Sequence, residues 1–257
     1  MNIFRNLITH PLTRGLAMDD PRTTSLRSKI IQENRFLRHL YVEWYQNLKE
    51  RAPAQGQILE LGSGAGFLGD FLPGIITSEM FSLPGIRMVA DGCQLPIADH
   101  ALAAIILIDV FHHLQDVKKF LSEATRCVHP GGKILMIEPW VSPWSKWVYT
   151  HLHYEPFSLT EGWEVSPAYG PLSSANNALP WIVFERDRQL FSELFPSWQI
   201  VSITPFMPFS YLLSGGVTAR FGAPGWIYQG IRNMEQRLDQ KHWAMFAQIE
   251  LEAQFDT

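Results

Sequence analysis

Residues 58–67 read Ile-Leu-Glu-Leu-Gly-Ser-Gly-Ala-Gly-Phe, an apolar run carrying Glu60 and then glycines at Gly62, Gly64 and Gly66, with Ser63 between the first two. Glycine has no Cβ, so a turn of this kind takes φ > 0 and lets a ligand lie against bare backbone. Where such a strand feeds a helix, the free N–H groups of the helix start face the same spot. The chemistry implied is the binding of a nucleotide-like ligand. Two further groups carry reactive side chains. His112 and His113 follow Asp109 and Val110, and His151, His153 and Glu155 lie on a later stretch. Histidine titrates near neutral pH and serves as a base where a hydroxyl must lose its proton.

The hydrophobic pattern predicts the frame that positions these residues. Residues 1–22, with Pro11, Gly15 and Pro21, read as a loosely held arm. From about 24 to 50, Phe36, Leu37, Leu40, Tyr41, Trp44, Tyr45 and Leu48 recur at helical steps, and Pro53 ends the run. That helix either packs on a sheet edge or forms a lid with Tyr41 or Tyr45 facing substrate. After the opening strand, further strands are expected at 75–78, 85–90, 103–108 and 133–137, with a helix at 117–127. The acids Glu79, Asp91, Asp109 and Glu138 stand at their ends. This rhythm predicts an α/β, Rossmann-like, mostly parallel doubly wound sheet with ligands at the carboxyl ends of its strands. Beyond Glu138 the rhythm stops, and the proline-rich stretch 139–180 reads as a lid or binding loop. A helix at 184–195 and strands at 198–206 and 243–251 complete a seven-stranded sheet. One domain is expected over 1–257. It comprises an N-terminal arm and helix (1–55), a cofactor-binding half (56–139) and a substrate-binding half (140–257) with lids from 140–197 and 205–235.

Five acids on one rim would repel a pyrophosphate. A ligand with hydroxyls, an amine and a positive centre would be attracted instead. S-adenosylmethionine fits that description. The motifs agree with it. Residues 60–66 resemble the first motif of the class I S-adenosylmethionine-dependent methyltransferases. Glu79 matches that family's ribose-binding acid, and Asp91-Gly92-Cys93-Gln94-Leu95-Pro96 resembles its third-strand segment. Residues 108–114, Ile-Asp-Val-Phe-His-His-Leu, resemble the motif after the fourth strand in the type 11 subgroup, and His129-Pro130-Gly131-Gly132-Lys133 matches the turn before the fifth strand.

The resemblance implies roles residue by residue. Gly62, Gly64 and Gly66, with Ser63 in the same turn, would admit the methionine part of the cofactor. Glu60 would hold its amino end or order the loop. Glu79 would take the ribose hydroxyls. Asp91 would accept from adenine N6, with a backbone N–H lent by Gly92 or Cys93, and Asp109 and Val110 complete the cofactor set. The expected activity is methyl transfer to a small-molecule acceptor, with oxygen favoured, leaving S-adenosylhomocysteine. Methyl transfer from a sulfonium depends on alignment of the nucleophile, so His112, His113, His153 and Glu155 are the candidates for base or substrate positioning. On an extended segment His151, His153 and Glu155 would share a face. With no second cluster of partners visible in the sequence, no metal is expected there.

Residues 64–69 also satisfy G-x-G-x-x-G, the dinucleotide fingerprint, so an NAD(P)-dependent oxidoreductase is a rival reading. A methyltransferase fold that binds cofactor or a partner without catalysis is another. The aromatic stretch 205–216, with Trp140, Trp144 and Trp147 opposite, reads either as an apolar acceptor pocket or as plain core. The chain's 257 residues, 46% hydrophobic and 18% charged, describe a globular protein. A net charge of −4 without a basic block excludes the electrostatic footprint of nucleic-acid binding. Cys93 and Cys127 are the only cysteines, which fits a reducing, cytoplasmic setting. No run reaches the ~18 apolar residues of a membrane span. The nine tryptophans leave room for peripheral membrane contact. Nothing in the sequence fixes the oligomeric state.

Overall fold

The computed structural model describes residues 10–17, 19–153, 155–165, 170 and 173–254. Seven strands form one sheet: β1 (Gln57–Leu61), β2 (Ile76–Glu79), β3 (Met88–Val89), β4 (Leu102–Ile108), β5 (Val128–Pro139), β6 (Trp198–Phe206) and β7 (Phe246–Ala253). Their order is β3-β2-β1-β4-β5-β7-β6, with β7 antiparallel to both β5 and β6 and the remaining pairs parallel. The expected doubly wound sheet is present.

β4 is apolar without alternation because both of its faces are covered. Ile105 and Leu107 pack with Phe120, Leu121 and Ala124 of α3 (Val117–Cys127). Ala104 and Ile106 face the opposite way, onto Phe36, Leu40, Trp44 and Leu48 of α2 (Arg35–Arg51). That N-terminal helix therefore packs on the sheet, but over the face of the interior strands β4 and β5 and not at the expected edge.

Four local features differ from the sequence expectation. The helix expected over 24–50 is two helices, α1 (Pro21–Glu33) and α2, broken at Asn34. The Asn34 side chain accepts from Leu37 N at 3.1 Å and donates to Ser214 O at 2.8 Å, so it caps α2 and ties the break to the C-terminal half. After β1, the turn leads only into a three-residue 3₁₀ segment, Leu68–Asp70, and not into a helix start whose N–H groups would face the ligand. The stretch 139–180 contains an unforeseen helix, α4 (Pro143–His151), started by Pro143 and a Ser142/Ser145 capping box. Part of the arm is held in place, with His10 N donating to Thr218 O at 2.7 Å.

Candidate active site

A cavity of about 1020 Å³ opens at the carboxyl ends of β1, β2 and β4. The glycine turn forms one wall. Gly62 has φ +68, and a Cβ there would lie 2.6 Å from Val110 Cγ2, so this glycine is required by the close approach of the two loops. Gly64, at φ +46, differs: a Cβ there would meet only Gly62 O at 3.6 Å and Thr24 Cγ2 at 3.7 Å. It is the position whose bare backbone is offered to the cavity. Gly66 makes room for Tyr45, whose hydroxyl accepts from Phe67 N at 3.1 Å.

Ser63 serves the turn itself. Its Oγ accepts from Ser78 N at 3.1 Å and donates to Glu60 O at 3.3 Å, while Ser78 Oγ donates to the same carbonyl at 2.8 Å. The turn is thereby tied to β2, which carries Glu79. Glu60 and Glu79 are both buried and both line the cavity. Burial pushes Glu60 up to about 7, against a Ser63 hydrogen bond and with the Glu79 charge adding to the rise. Burial likewise raises Glu79.

Asp91 and Gly92 reach the cavity beyond β3. Asp91 Oδ1 accepts from Cys93 N at 2.8 Å, so that N–H closes a local turn, and the backbone donor expected at Cys93 is already engaged. The Cys93 thiol is pushed up to about 11 by burial and by the Asp91 charge, which removes it as a thiolate nucleophile. Asp109 stands at the end of β4 in a left-handed conformation, φ +59. Burial lifts its carboxyl to about 7. Val110 touches the cavity with its side chain, while its N–H turns inward to Glu138.

Glu138 is not a rim acid. It is fully buried, and one oxygen accepts from both Val110 N and Phe111 N at 2.8 Å while the other meets His112 Nδ1 at 2.8 Å. It holds the loop after β4. His113 Nδ1 is 2.9 Å from Ser174 O, and the two imidazoles lie 4.1 Å apart, centroid to centroid. Glu155 faces them: its carboxylate is 3.6 Å from His112 Nε2, 3.9 Å from His113 Nε2 and 3.8 Å from His153 Nδ1. Burial opposes a charge on His112, but the Glu138 and Glu155 carboxylates outweigh it and raise its pKa. Burial, with His112 adding, brings His113 down to about 4, and burial also lowers His153. Burial opposes the charge on Glu155 too, yet the three histidines hold its carboxyl well below the usual range. The structure therefore brings His112, His113, His153 and Glu155 together. It leaves out His151, which ends α4, exposed, with Nδ1 2.8 Å from Trp147 O. The extended-segment pattern that grouped His151 with the others fails because that residue is helical. Tyr154 lies outside the described residues.

Other lining residues had no sequence signal: Thr24 and Arg27 of α1 and residues 13–16 of the arm close the cavity from positions remote in sequence, opposite residues 215–219 of the expected lid. Tyr41 of α2 does line it, as the lid reading proposed. Trp140, Trp144 and Trp147 do not. Trp144 packs on Trp147, Phe209 and Trp243 and donates to Pro208 O at 2.9 Å, and Trp140 is buried in the core. From the aromatic stretch only Tyr211, Leu212, Gly215 and Gly216 reach the cavity.

Residues 76–136 match a family described as a methyltransferase domain, and this span includes β2, β3, β4, the first part of β5, and His112 and His113. The sheet and its helices have the class I methyltransferase fold. S-adenosylmethionine is the cofactor of that family. Similar solved structures include a Streptomyces coelicolor geranyl diphosphate C-methyltransferase, determined with Mg²⁺, geranyl-S-thiolodiphosphate and S-adenosylhomocysteine. It is 13% identical, with 96% of this chain and 87% of that chain covered, at a TM-score of 0.53. A Thermotoga maritima methyltransferase described as a possible histamine N-methyltransferase is 15% identical over 90% and 99% of the two chains, TM-score 0.52. A putative methyltransferase of Haloferax volcanii, solved with a methyltransferase activator, is 11% identical over 93% and 98%, TM-score 0.54. No curated protein matches the sequence. Among the described residues, no helix is long and apolar enough to cross a membrane.

The residues present fit this cofactor. Gly64 leaves the space a Cβ would fill, and the carboxyl groups of Glu60, Glu79 and Asp91 suit an amine and hydroxyls. Arg27 adds a cationic side chain to the same lining.

Proposed function

We propose that this protein transfers a methyl group from S-adenosylmethionine to a small, oxygen-bearing acceptor. The observation that carries this reading is a single cavity with two chemically distinct ends: Glu60, Gly64, Glu79 and Asp91 at one, and His113, His153 and Glu155 at the other. When bound, the cofactor supplies a methyl group on an electron-poor sulfonium. Glu60 takes its amino group, Arg27 its carboxylate, Glu79 the ribose hydroxyls and Asp91 the adenine amine.

At the acceptor end, Tyr149, Leu152, Tyr211, Leu212 and Phe246 offer an apolar wall for the body of the acceptor. His113 and His153, both lowered by burial, are neutral at pH 7 and able to accept a proton. His113 is lowered so far that it is a weak base, which favours His153 for that step. A dinucleotide is disfavoured. The turn after β1 leads into three residues of 3₁₀ helix with no extended helix start to hold a pyrophosphate, and a Cβ on Gly69 would meet nothing nearer than Ile75 at 3.8 Å. The third glycine of the fingerprint exists for close helix–strand packing, and no such packing is present.

Calorimetric titration with S-adenosylhomocysteine, together with an acceptor screen using methyl-labelled cofactor, tests the reading. One molecule bound per chain and label transferred to an oxygen are expected. Absence of binding overturns it, and affinity for NADH instead would favour the oxidoreductase. Binding without transfer to any acceptor would leave the non-catalytic rival. In the active protein, His153→Ala lowers turnover while the affinity for S-adenosylhomocysteine stays unchanged.

A further inference from the structure

We propose that His112, His113 and Glu155 form a binding site for a divalent transition-metal ion of the zinc type, set in the wall of the cavity at its acceptor end. Ligand atoms from all three residues lie within 4.8 Å of one another. Their orientation is fixed from behind. His112 Nδ1 meets the buried Glu138 carboxylate at 2.8 Å and His113 Nδ1 meets the Ser174 carbonyl at 2.9 Å. Both of those partners only accept, so each Nδ1 carries the hydrogen and donates. The Nε2 atoms are left to face Glu155.

A nitrogen lone pair on His113 Nε2 faces the Glu155 carboxylate and repels it unless positive charge sits among them. The separations from Glu155, 3.6 Å to His112 Nε2 and 3.9 Å to His113 Nε2, exceed hydrogen-bond reach. A proton on His112 answers only one of these contacts, and at a poor distance. Two ligands on a tetrahedral ion with bonds of about 2.1 Å stand about 3.4 Å apart. The two histidine-to-carboxylate separations are near that value, while the widest pair of the cluster, at up to 4.8 Å, would close by up to about 1.4 Å around a cation. A carboxylate behind one ligating imidazole and a backbone carbonyl behind the other are the partners that orient histidine toward a metal. Asn177 Nδ2 donates to Glu155 Oε2 at 3.3 Å and steadies the third ligand.

Two imidazoles and one carboxylate suit zinc and its neighbours better than magnesium or calcium, which favour all-oxygen shells. Three protein ligands leave at least one position open. Because His113 and Glu155 line the cavity, that position is accessible from it. It would take an oxygen of the acceptor, which narrows the acceptor class to alcohols, phenols or hydroxy acids. This last step rests on the methyl-transfer reading, whereas the metal site itself rests on geometry alone.

The test is titration of the full chain, after chelator treatment and dialysis, with ZnCl₂, MnCl₂ and MgCl₂. One Zn²⁺ per chain is expected, with Mg²⁺ at least about 100-fold weaker. His113→Ala and Glu155→Gln should lose stoichiometric binding, while His151→Ala, outside the triad, keeps it. Substitution with Co²⁺ should give the intense visible bands of four- or five-coordination, a readout on the unaltered chain that stands even if a variant misfolds. No stoichiometric Zn²⁺, an equal affinity in Glu155→Gln, or a weak six-coordinate Co²⁺ spectrum overturns the site. Parallel titration with S-adenosylhomocysteine separates the two proposals. Cofactor product bound without metal removes only the metal site, and metal bound without cofactor product removes only the methyl-transfer reading.

Discussion

Glu138→Gln is the most informative single change. In the native loop one Glu138 oxygen accepts from two backbone N–H groups and the other from His112, all at 2.8 Å and all buried. The amide keeps the shape and one acceptor oxygen, so the two backbone bonds survive as neutral ones. Hydrogen bonds to a charged group contribute about 1.5–3 kcal/mol and neutral ones about 0.5–1.5, so the two bonds together lose about 2 kcal/mol. The third contact changes sign. An amide N–H now faces His112 Nδ1, and the imidazole loses the anionic acceptor that raises its pKa, so that pKa falls. A total destabilisation of about 2–3 kcal/mol follows, and for a chain of this size that is a fall in Tm of about 4–12 °C. Glu138→Ala, which leaves three buried donors without an acceptor, should cost more, about 3–5 kcal/mol. Thermal and urea unfolding followed by circular dichroism measure the stability. Nitrogen NMR of the histidine rings reports their protonation. A Glu138→Gln protein with wild-type Tm and an unchanged His112 titration would refute the view that this carboxylate holds the loop after β4.

Further expectations concern the turn and its acids. Gly62→Ala and Gly64→Ala should separate fold from function. The first drives a Cβ to 2.6 Å from Val110 and should lower Tm strongly. The second should cost only the roughly 1–2 kcal/mol of a left-handed alanine, yet weaken S-adenosylhomocysteine at least about tenfold in titration. Glu60 sets a pH dependence. Its carboxyl titrates near 7 in the folded protein and near 4.5 when unfolded, so between these values the native state holds the extra proton and stability falls as pH rises. The loss is at most about 3 kcal/mol and levels off above pH 7. Urea midpoints from pH 4.5 to 8 for wild type and Glu60→Gln should therefore diverge as pH rises, and parallel profiles would contradict the burial effect. Tyr45→Phe removes the acceptor of Phe67 N and should cost about 1 kcal/mol in the same assay.

The glycine turn and the strand-end acids were legible in the sequence because their signals are local. A strand and the turn that follows it are adjacent in the chain, so Glu60 to Gly66 read as one unit, and an acid at a strand end declares itself by where the apolar run stops. The continuous apolar run of β4 announced a strand covered on both faces. The 3₁₀ turn after Phe67 was not legible. Gly66-Phe67-Leu68-Gly69 has no helix-breaking proline, and only the packing of Phe67 and Phe71 against Tyr45 shows the turn collapsed onto α2.

The sequence by itself determined the sheet, the glycine turn and the class of cofactor, since hydrophobic period and backbone stereochemistry act over a few residues. The tertiary structure alone decided the histidine and carboxylate end of the cavity. It withdrew Glu138 from the rim, folded His151 out of its cluster and turned the tryptophans onto each other. It brought His112 and His113 against Glu155, some forty residues away. Side chains that meet across such a distance are chosen by which surfaces bury together, and no spacing along the chain records that choice.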